Sequence, residues 1–456
     1  MNMKKNPQGW EIPGETRRSF IQKAAVTAAT VAGGVLLKTP VYGQHQAPSP
    51  GRVIGANDRI VVAYIGTGGQ GKSHLRSQKE NAAANNIVQG AVCDVYQKHL
   101  EEAGKLAGLA QADTYRDHRK LLERKDIDAV VIATVDQWHA DVAVDALEAG
   151  KHVYGEKPFA RYLMEGFRIH DTVKRTGRVF VVGSQFCGDQ KYHKAAEWIR
   201  AGKLGPLVWA QGCYCRNHPK NSEWTYPIDP EANEGNLDWK RWLGRTKRVP
   251  FTPERYFSWH KFLDYNSGIL GNLLSHTVLP LLLATGNQEF PRRVTCTGTR
   301  KVSTDREIPD TTHFLAEMPD GLTLCIVGST VNEVGLPEII RGRQGTLYFA
   351  SGQDKLSLKP ERPFAEELDP QDFHGASTSG DLALLEKNFF DCIRSGATPF
   401  ANVDLAIRAH VILCLAEMSE RLGLMLYFDG KSRQVRTGEG KIIKPIGYDT
   451  HTPRTT

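Results

Sequence analysis

The stretch that most restricts what this chain can fold into is an apolar run followed at once by clustered glycines, IVVAYIGTGGQGKSHL, from Ile60 to Leu75. Six apolar residues in a row suit a strand buried on both faces, and the residues after the glycines suit a helix. Gly66, Gly68 and Gly71 keep a G-x-G-x-x-G spacing, with Gly69 between the last two. That spacing carries chemistry only in a strand–turn–helix context, which is the context here. The first glycine permits the tight turn, the second lets the backbone approach a pyrophosphate, and the third lets the helix pack closely on the strand. The helix N-terminus then faces an anion. A second strand, IVQGAVC, runs into Asp94, 23 residues beyond Gly71. A carboxylate there accepts hydrogen bonds from ribose hydroxyls and repels a 2′-phosphate, so NAD is the expected cofactor.

Strand and helix go on alternating. DIDAVVIATV (126–135) reads as a strand, HADVAVDALEAG as a helix, KHVYGEKP as a strand and turn, and RVFVVGS as another strand. This order predicts an α/β fold with a doubly wound parallel sheet over residues 58–185. Beyond Gln185 the texture becomes β-rich, and AEMPDGLTLCIV reads as a hairpin turning at Asp320-Gly321. A second domain of α+β type, with an open and mainly antiparallel sheet, is therefore expected over 186–430, with 431–456 as a tail. In LDYNSGILGNLLSHTVLPLL (263–282), Asn272 and His276 are four residues apart, which puts both on one face of a helix. Pro280 is expected to kink or end that helix.

The N-terminus has another logic. Thr16-Arg17-Arg18-Ser19-Phe20 precedes a mild apolar run, Ala24 to Leu37. Those fourteen residues are too few to span a bilayer, which needs ~20. A basic start and a short apolar core read as a cleavable signal, and the arginine pair resembles the twin-arginine signal, whose machinery exports folded proteins. A cut after Gly43 is expected, leaving 44–57 as a linker and placing the protein in the periplasm or outside the cell. Residues 1–43 hold six basic and two acidic side chains, so the formal charge of +7 falls to +3 without them. The basic balance thus belongs largely to the signal and gives no reason to expect nucleic acid as a partner. None of the eight cysteines forms a CxxC pair, no His/Cys cluster completes a metal site, and buried free thiols are expected.

VIATVDQWHADVAVDALEAGKHVYGEKPFA, residues 131–160, resembles the Gfo/Idh/MocA oxidoreductase family, most specifically at Glu156-Lys157-Pro158. The resemblance extends over roughly residues 58–430, and GNLDWKRWLG (235–244) looks like its exported bacterial branch. It implies an N-terminal Rossmann domain and a C-terminal domain with an open, mainly antiparallel sheet, through which family members associate; a homo-oligomer is expected on that ground. Apart from the family, Pro158 constrains the backbone before it, so Lys157 is presented from a fixed turn at the carboxyl end of a parallel strand. An ammonium there can stabilise an alkoxide as hydride leaves for a nicotinamide, and the matching family lysine does this work. The family has D-x-x-x-H where this chain has Asn272 and His276. His276 is then the expected general base, because imidazole titrates near neutral pH. Asn272 can orient it or bond a sugar hydroxyl. Thr134, Asp136, Trp138 and His139 are expected along the cofactor with Glu156, and Gln185 where the sheet hands over to the second domain. The aromatic run RYFSWHKFLDY (255–265) suits the C–H faces of a pyranose ring or a buried interface.

Three functions follow. The first is an NAD-dependent oxidoreductase acting on a sugar or cyclic polyol, its cofactor loaded before export and held through turnover. The second is an NAD-dependent glycosidase that transiently oxidises a ring carbon. The third is a redox-inactive sugar-binding protein on a Rossmann scaffold.

Overall fold

A computed structural model describes residues 59–219, 223–376 and 379–450; the proposed signal and linker lie outside them. Six parallel strands form the first sheet: β1 (Ile60–Ile65), β2 (Ile87–Cys93), β3 (Thr114–Tyr115), β4 (Ala129–Ile132), β5 (His152–Glu156) and β6 (Phe180–Gly183). Their order is β3-β2-β1-β4-β5-β6, so the chain reverses direction across the sheet between β1 and β4. β4 and β6 are buried throughout, as a strand covered on both faces requires. Reversal of strand order opens a crevice at the carboxyl ends of β1 and β4, which is where such sheets bind ligands.

Eleven strands form the second sheet: β7 (Leu207–Cys215), β8 (Arg293–Thr299), β9 (Thr311–Glu317), β10 (Thr323–Ser329), β11 (Ile339–Gly342), β12 (Gly345–Phe349), β13 (Lys355–Pro360), β14 (Gln371–His374), β15 (Leu426–Asp429), β16 (Gln434–Thr437) and β17 (Ile442–Ile443). The order is β14-β13-β12-β11-β7-β10-β9-β8-β15-β16-β17, antiparallel except for the parallel pair β7–β10. The hairpin β9–β10 turns at Gly321, whose φ of +92° suits a residue without a Cβ. β16 and β17 correct the expectation of a tail beyond 430. Val435 and Ile446 are buried, and the Tyr448 hydroxyl donates to the Gln137 carbonyl at 3.0 Å.

The helix Val403–Leu422 packs between β8 and the helix Leu163–Thr176 of the first sheet. There the buried Arg161 guanidinium donates to both Glu417 oxygens at 2.8 and 2.9 Å. The single helix expected over 263–282 is two: Ile269–Asn272, then Ser275–Thr285. Pro280 neither ends nor visibly interrupts the second, since it removes only the donor to the His276 carbonyl. Almost every residue of that helix is buried, and this packing outweighs one missing hydrogen bond.

Candidate active site

Gly66 turns with φ +84° immediately after β1; a Cβ there would meet the Ala133 carbonyl oxygen at 2.6 Å. At Gly71 a Cβ would lie 2.0 Å from the Gly66 oxygen, so close packing of helix and turn excludes any side chain. At Gly69 it would meet nothing within 4 Å, because this position faces an open cavity of about 540 Å³. Gly66, Gly68 and Gly69 line that cavity at the N-terminus of the helix Gly69–Glu80. Asp94 lines it from the end of β2. Its Oδ2 accepts from the Thr67 amide at 2.7 Å and its Oδ1 from the Tyr96 amide at 2.9 Å, which fixes the carboxylate and leaves acceptor positions for hydroxyls.

Across the crevice the loop after β4 brings Thr134, Asp136 and Trp138 to the cavity wall. Thr134 Oγ1 is buried without a hydrogen-bond partner. His139 does not line the cavity. One of its ring nitrogens faces the Pro158 oxygen at 2.6 Å and the other the Thr134 oxygen at 3.0 Å, which ties this loop to the turn that carries Lys157. The Lys157–Pro158 peptide is cis. Lys157 lines the cavity, and its ammonium has no hydrogen-bond partner among the described residues.

Glu156, next to it, is locked. It accepts from His74 Nε2 and Gln70 Nε2, both at 2.9 Å, and from the Lys157 amide at 3.1 Å. His74 in turn reaches Glu386 at 2.7 Å, and Ser77 and Gln78 donate to the same carboxylate. Burial alone would pull the imidazole down, but its two carboxylate partners hold it up at about 9. Burial likewise opposes charge on Glu156, yet the hydrogen bond and charge of His74 bring it down to about 2.

Asn272 lines the cavity beside Lys157, but its amide donates to Asp136 Oδ2 at 3.1 Å and makes no bond to His276. The helix break between them, at Leu273–Leu274, undoes the shared face that their spacing suggested. His276 is not in the cavity wall. It is buried between Phe186 and Tyr214 with Nδ1 unpartnered, and burial, with the Lys157 charge, lowers it to about 3. Gln185 opens a short turn after β6 and does not reach the cavity either.

A strap over residues 223–265 covers the crevice, and sequence spacing gave no sign of its position. The strap's Leu237 forms a β-bridge with Tyr96, the Asp238 amide donates to the Val95 oxygen at 3.1 Å, and Trp138 Nε1 donates to the Trp242 oxygen at 2.8 Å. Its aromatic residues Tyr226, Tyr256, Phe257, Trp259 and His260 line the cavity. His260 stacks on Trp259 with ring centroids 3.7 Å apart, and burial, then the charges of Lys157 and Arg216, keep it neutral. The run 255–265 thus supplies cavity wall, and His260, unlike His276, is among the imidazoles that reach it, with His99 and His118. Among the described residues no cluster of His, Cys, Asp and Glu suits a metal ion.

Residues 60–184, which carry the glycine turn, Asp94 and Lys157, match the family of oxidoreductases with an NAD-binding Rossmann fold. The chain carries the NAD-binding domain of the Gfo/Idh/MocA oxidoreductase family, matched over 125 of its 456 residues. An α-N-acetylgalactosaminidase of Shewanella oneidensis is 29% identical to this chain over 211 residues, which is 43% of this chain and 45% of that protein. The match therefore spans less than half the length of this relative. An NAD-binding oxidoreductase from Klebsiella pneumoniae superposes with a TM-score of 0.63 at 19% identity, over 81% of this chain and 99% of that one. Levoglucosan dehydrogenase, in complex with NADH and levoglucosan, superposes with a TM-score of 0.60 at 18% identity, over 79% and 98%. At those identities the likeness is one of fold.

Proposed function

We propose that this protein moves hydride between the hydroxyl of a sugar or cyclic polyol and a tightly held nicotinamide. The observation that carries this reading is the position of Lys157, an unpartnered cation in the wall of the cavity whose other end is the glycine turn and Asp94. The chain's own features fit a dinucleotide: open space at Gly69, the orphaned Thr134 hydroxyl, a helix N-terminus for the pyrophosphate and a fixed carboxylate for the ribose. When bound, the cofactor supplies the hydride acceptor. Lys157 donates a hydrogen bond to the reacting oxygen and stabilises the negative charge that develops on it, in a cavity where low dielectric strengthens that interaction. Tyr226, Trp259 and His260 offer ring faces and one half-buried imidazole to a sugar.

A second reading is a glycosidase in which the same oxidation is transient. The name of the Shewanella oneidensis relative favours it. Both readings suit a cofactor that stays bound, and the strap over the crevice supports that. The arginine pair at 17–18 supports export in folded form, a route on which NAD would be loaded beforehand. Association through the second sheet draws support from Val208, Leu315 and Tyr348, exposed on β7, β9 and β12.

The test is to denature the purified protein, identify the released small molecule by mass, and follow absorbance of the reduced nicotinamide in the native protein against a panel of glycosides and polyols. Released NAD and reduction by a sugar support the proposal. A ketosugar product selects the first reading and a hydrolysed glycoside the second. A protein that carries no dinucleotide and binds none would end both.

A further inference from the structure

Hydroxyl oxidation needs a group to take the hydroxyl proton, and the cavity wall contains few free to do so. Glu156 is held by His74, Gln70 and a backbone amide. His276 is outside the wall, and His260, half-buried against aromatic rings with Nδ1 unpartnered, is made hard to protonate by burial and by the charges of Lys157 and Arg216. Asp136 remains. Its side chain enters the wall from the first turn of the helix Asp136–Glu148 and is only 1% exposed. Its Oδ2 accepts from Asn272, while Oδ1 accepts from no described residue. Asn272 comes from a helix packed on β9 and β10, so the pair joins the two halves of the site in the same wall as Lys157, whose charge acts on Asp136.

We propose that Asp136, oriented by Asn272, accepts the proton of the substrate hydroxyl while Lys157 holds the oxygen; this rests on the hydride-transfer reading above. The O–H bond breaks and its proton passes to Asp136 Oδ1, giving a carboxylic acid. The carbon is oxidised to a carbonyl as its C–H electron pair leaves as hydride to the oxidised nicotinamide. Asn272 is a positioning residue: an amide donates to the carboxylate form and cannot itself take the proton. The charges facing Asp136 are His139 on its own helix, Lys157 on the turn after β5, and Arg161; burial pushes the carboxyl up to about 6 against all three and the Asn272 hydrogen bond. It is therefore ionised, and able to accept, above that pH.

The experiment measures kcat/KM for nicotinamide reduction from pH 5 to 8, with bound dinucleotide quantified, and titrates the protonated-carboxyl infrared band of the sugar-free protein. The wild type should show an acidic limb near pH 6 and an infrared band that disappears over the same range. Asp136→Asn should lose that band and at least ~100-fold in kcat/KM with dinucleotide content unchanged. Asn272→Ala, which keeps the carboxyl, should move the limb to higher pH. An Asp136→Asn protein within a few-fold of wild type, or one emptied of dinucleotide, overturns the proposal, as does an Asn272→Ala limb that stays in place. Wild-type protein that no sugar reduces sinks the hydride-transfer reading, whereas the infrared titration still decides the state of Asp136: no band assigned to it near pH 6 removes it from the role.

Discussion

His74 stands between Glu156 and Glu386, 2.9 Å from one and 2.7 Å from the other, fully buried. It joins the middle of the helix Gly69–Glu80 to the residue that precedes Lys157 and to the helix Leu382–Ser395, 230 residues further on. The imidazolium is stable there because two carboxylates surround it, and the charge on Glu156 is stable because the imidazolium is present.

The sign of the pH effect follows from the two shifts. His74 is raised from 6.5 to about 9, so its contribution to stability is complete below 6.5 and lost as pH rises through 9. Glu156 is lowered from 4.5 to about 2, so its contribution is complete above 4.5 and lost as pH falls through 2. Urea midpoints should decline from pH 6.5 to 9 in the wild type, and less so in His74→Leu, which should also be less stable by about 3–5 kcal/mol at pH 6.

His276 carries the opposite dependence. It is lowered from 6.5 to about 3, so the unfolded chain takes its proton first and stability from this group is gained as pH rises from 3 to 6.5. In His276→Phe, which keeps a ring between Phe186 and Tyr214, the gain between pH 4 and 7 should be smaller than in the wild type, as read from urea midpoints at both values.

Two neighbouring glycines should behave differently. Gly71→Ala forces a methyl against the Gly66 carbonyl and should cost about 1–3 kcal/mol in denaturation, with dinucleotide binding lost alongside. Gly69→Ala meets open space and should stay within about 0.5 kcal/mol of wild type. Its methyl enters the cradle, so dinucleotide affinity by calorimetry should fall by roughly tenfold.

Lys157→Ala should keep its bound dinucleotide yet reduce it at least ~100-fold more slowly, since the lost cation acts on charge that develops only in the reaction. Stopped-flow absorbance after addition of sugar measures this, and a wild-type rate would remove Lys157 from the chemistry.

The strap is pinned at its start by Asp229, which accepts from the Tyr96 hydroxyl at 2.7 Å and from Lys98 at 2.6 Å. Asp229→Ala should speed dinucleotide release, on the order of tenfold, with little change in the denaturation midpoint. Release into a scavenging dehydrogenase measures the rate.

By itself the sequence determined what depends on neighbours in the chain. The glycine turn, Asp94 at the end of β2 and the Glu156-Lys157-Pro158 turn are local patterns in which strand, turn and side chain lie within a few residues. The same holds for the parallel sheet, whose buried strands read as unbroken apolar runs. Only the tertiary structure decided which side chains meet. Asn272 and His276 lie four residues apart and part company because the helix breaks between them, whereas Asp136 and Asn272 are 136 residues apart in sequence and share a hydrogen bond. The strap, the choice of His260 over His276 and the His74 network depend on how the two sheets pack together. Burial and distance are properties of that packing, and they select from the polar residues present those able to act on a ligand.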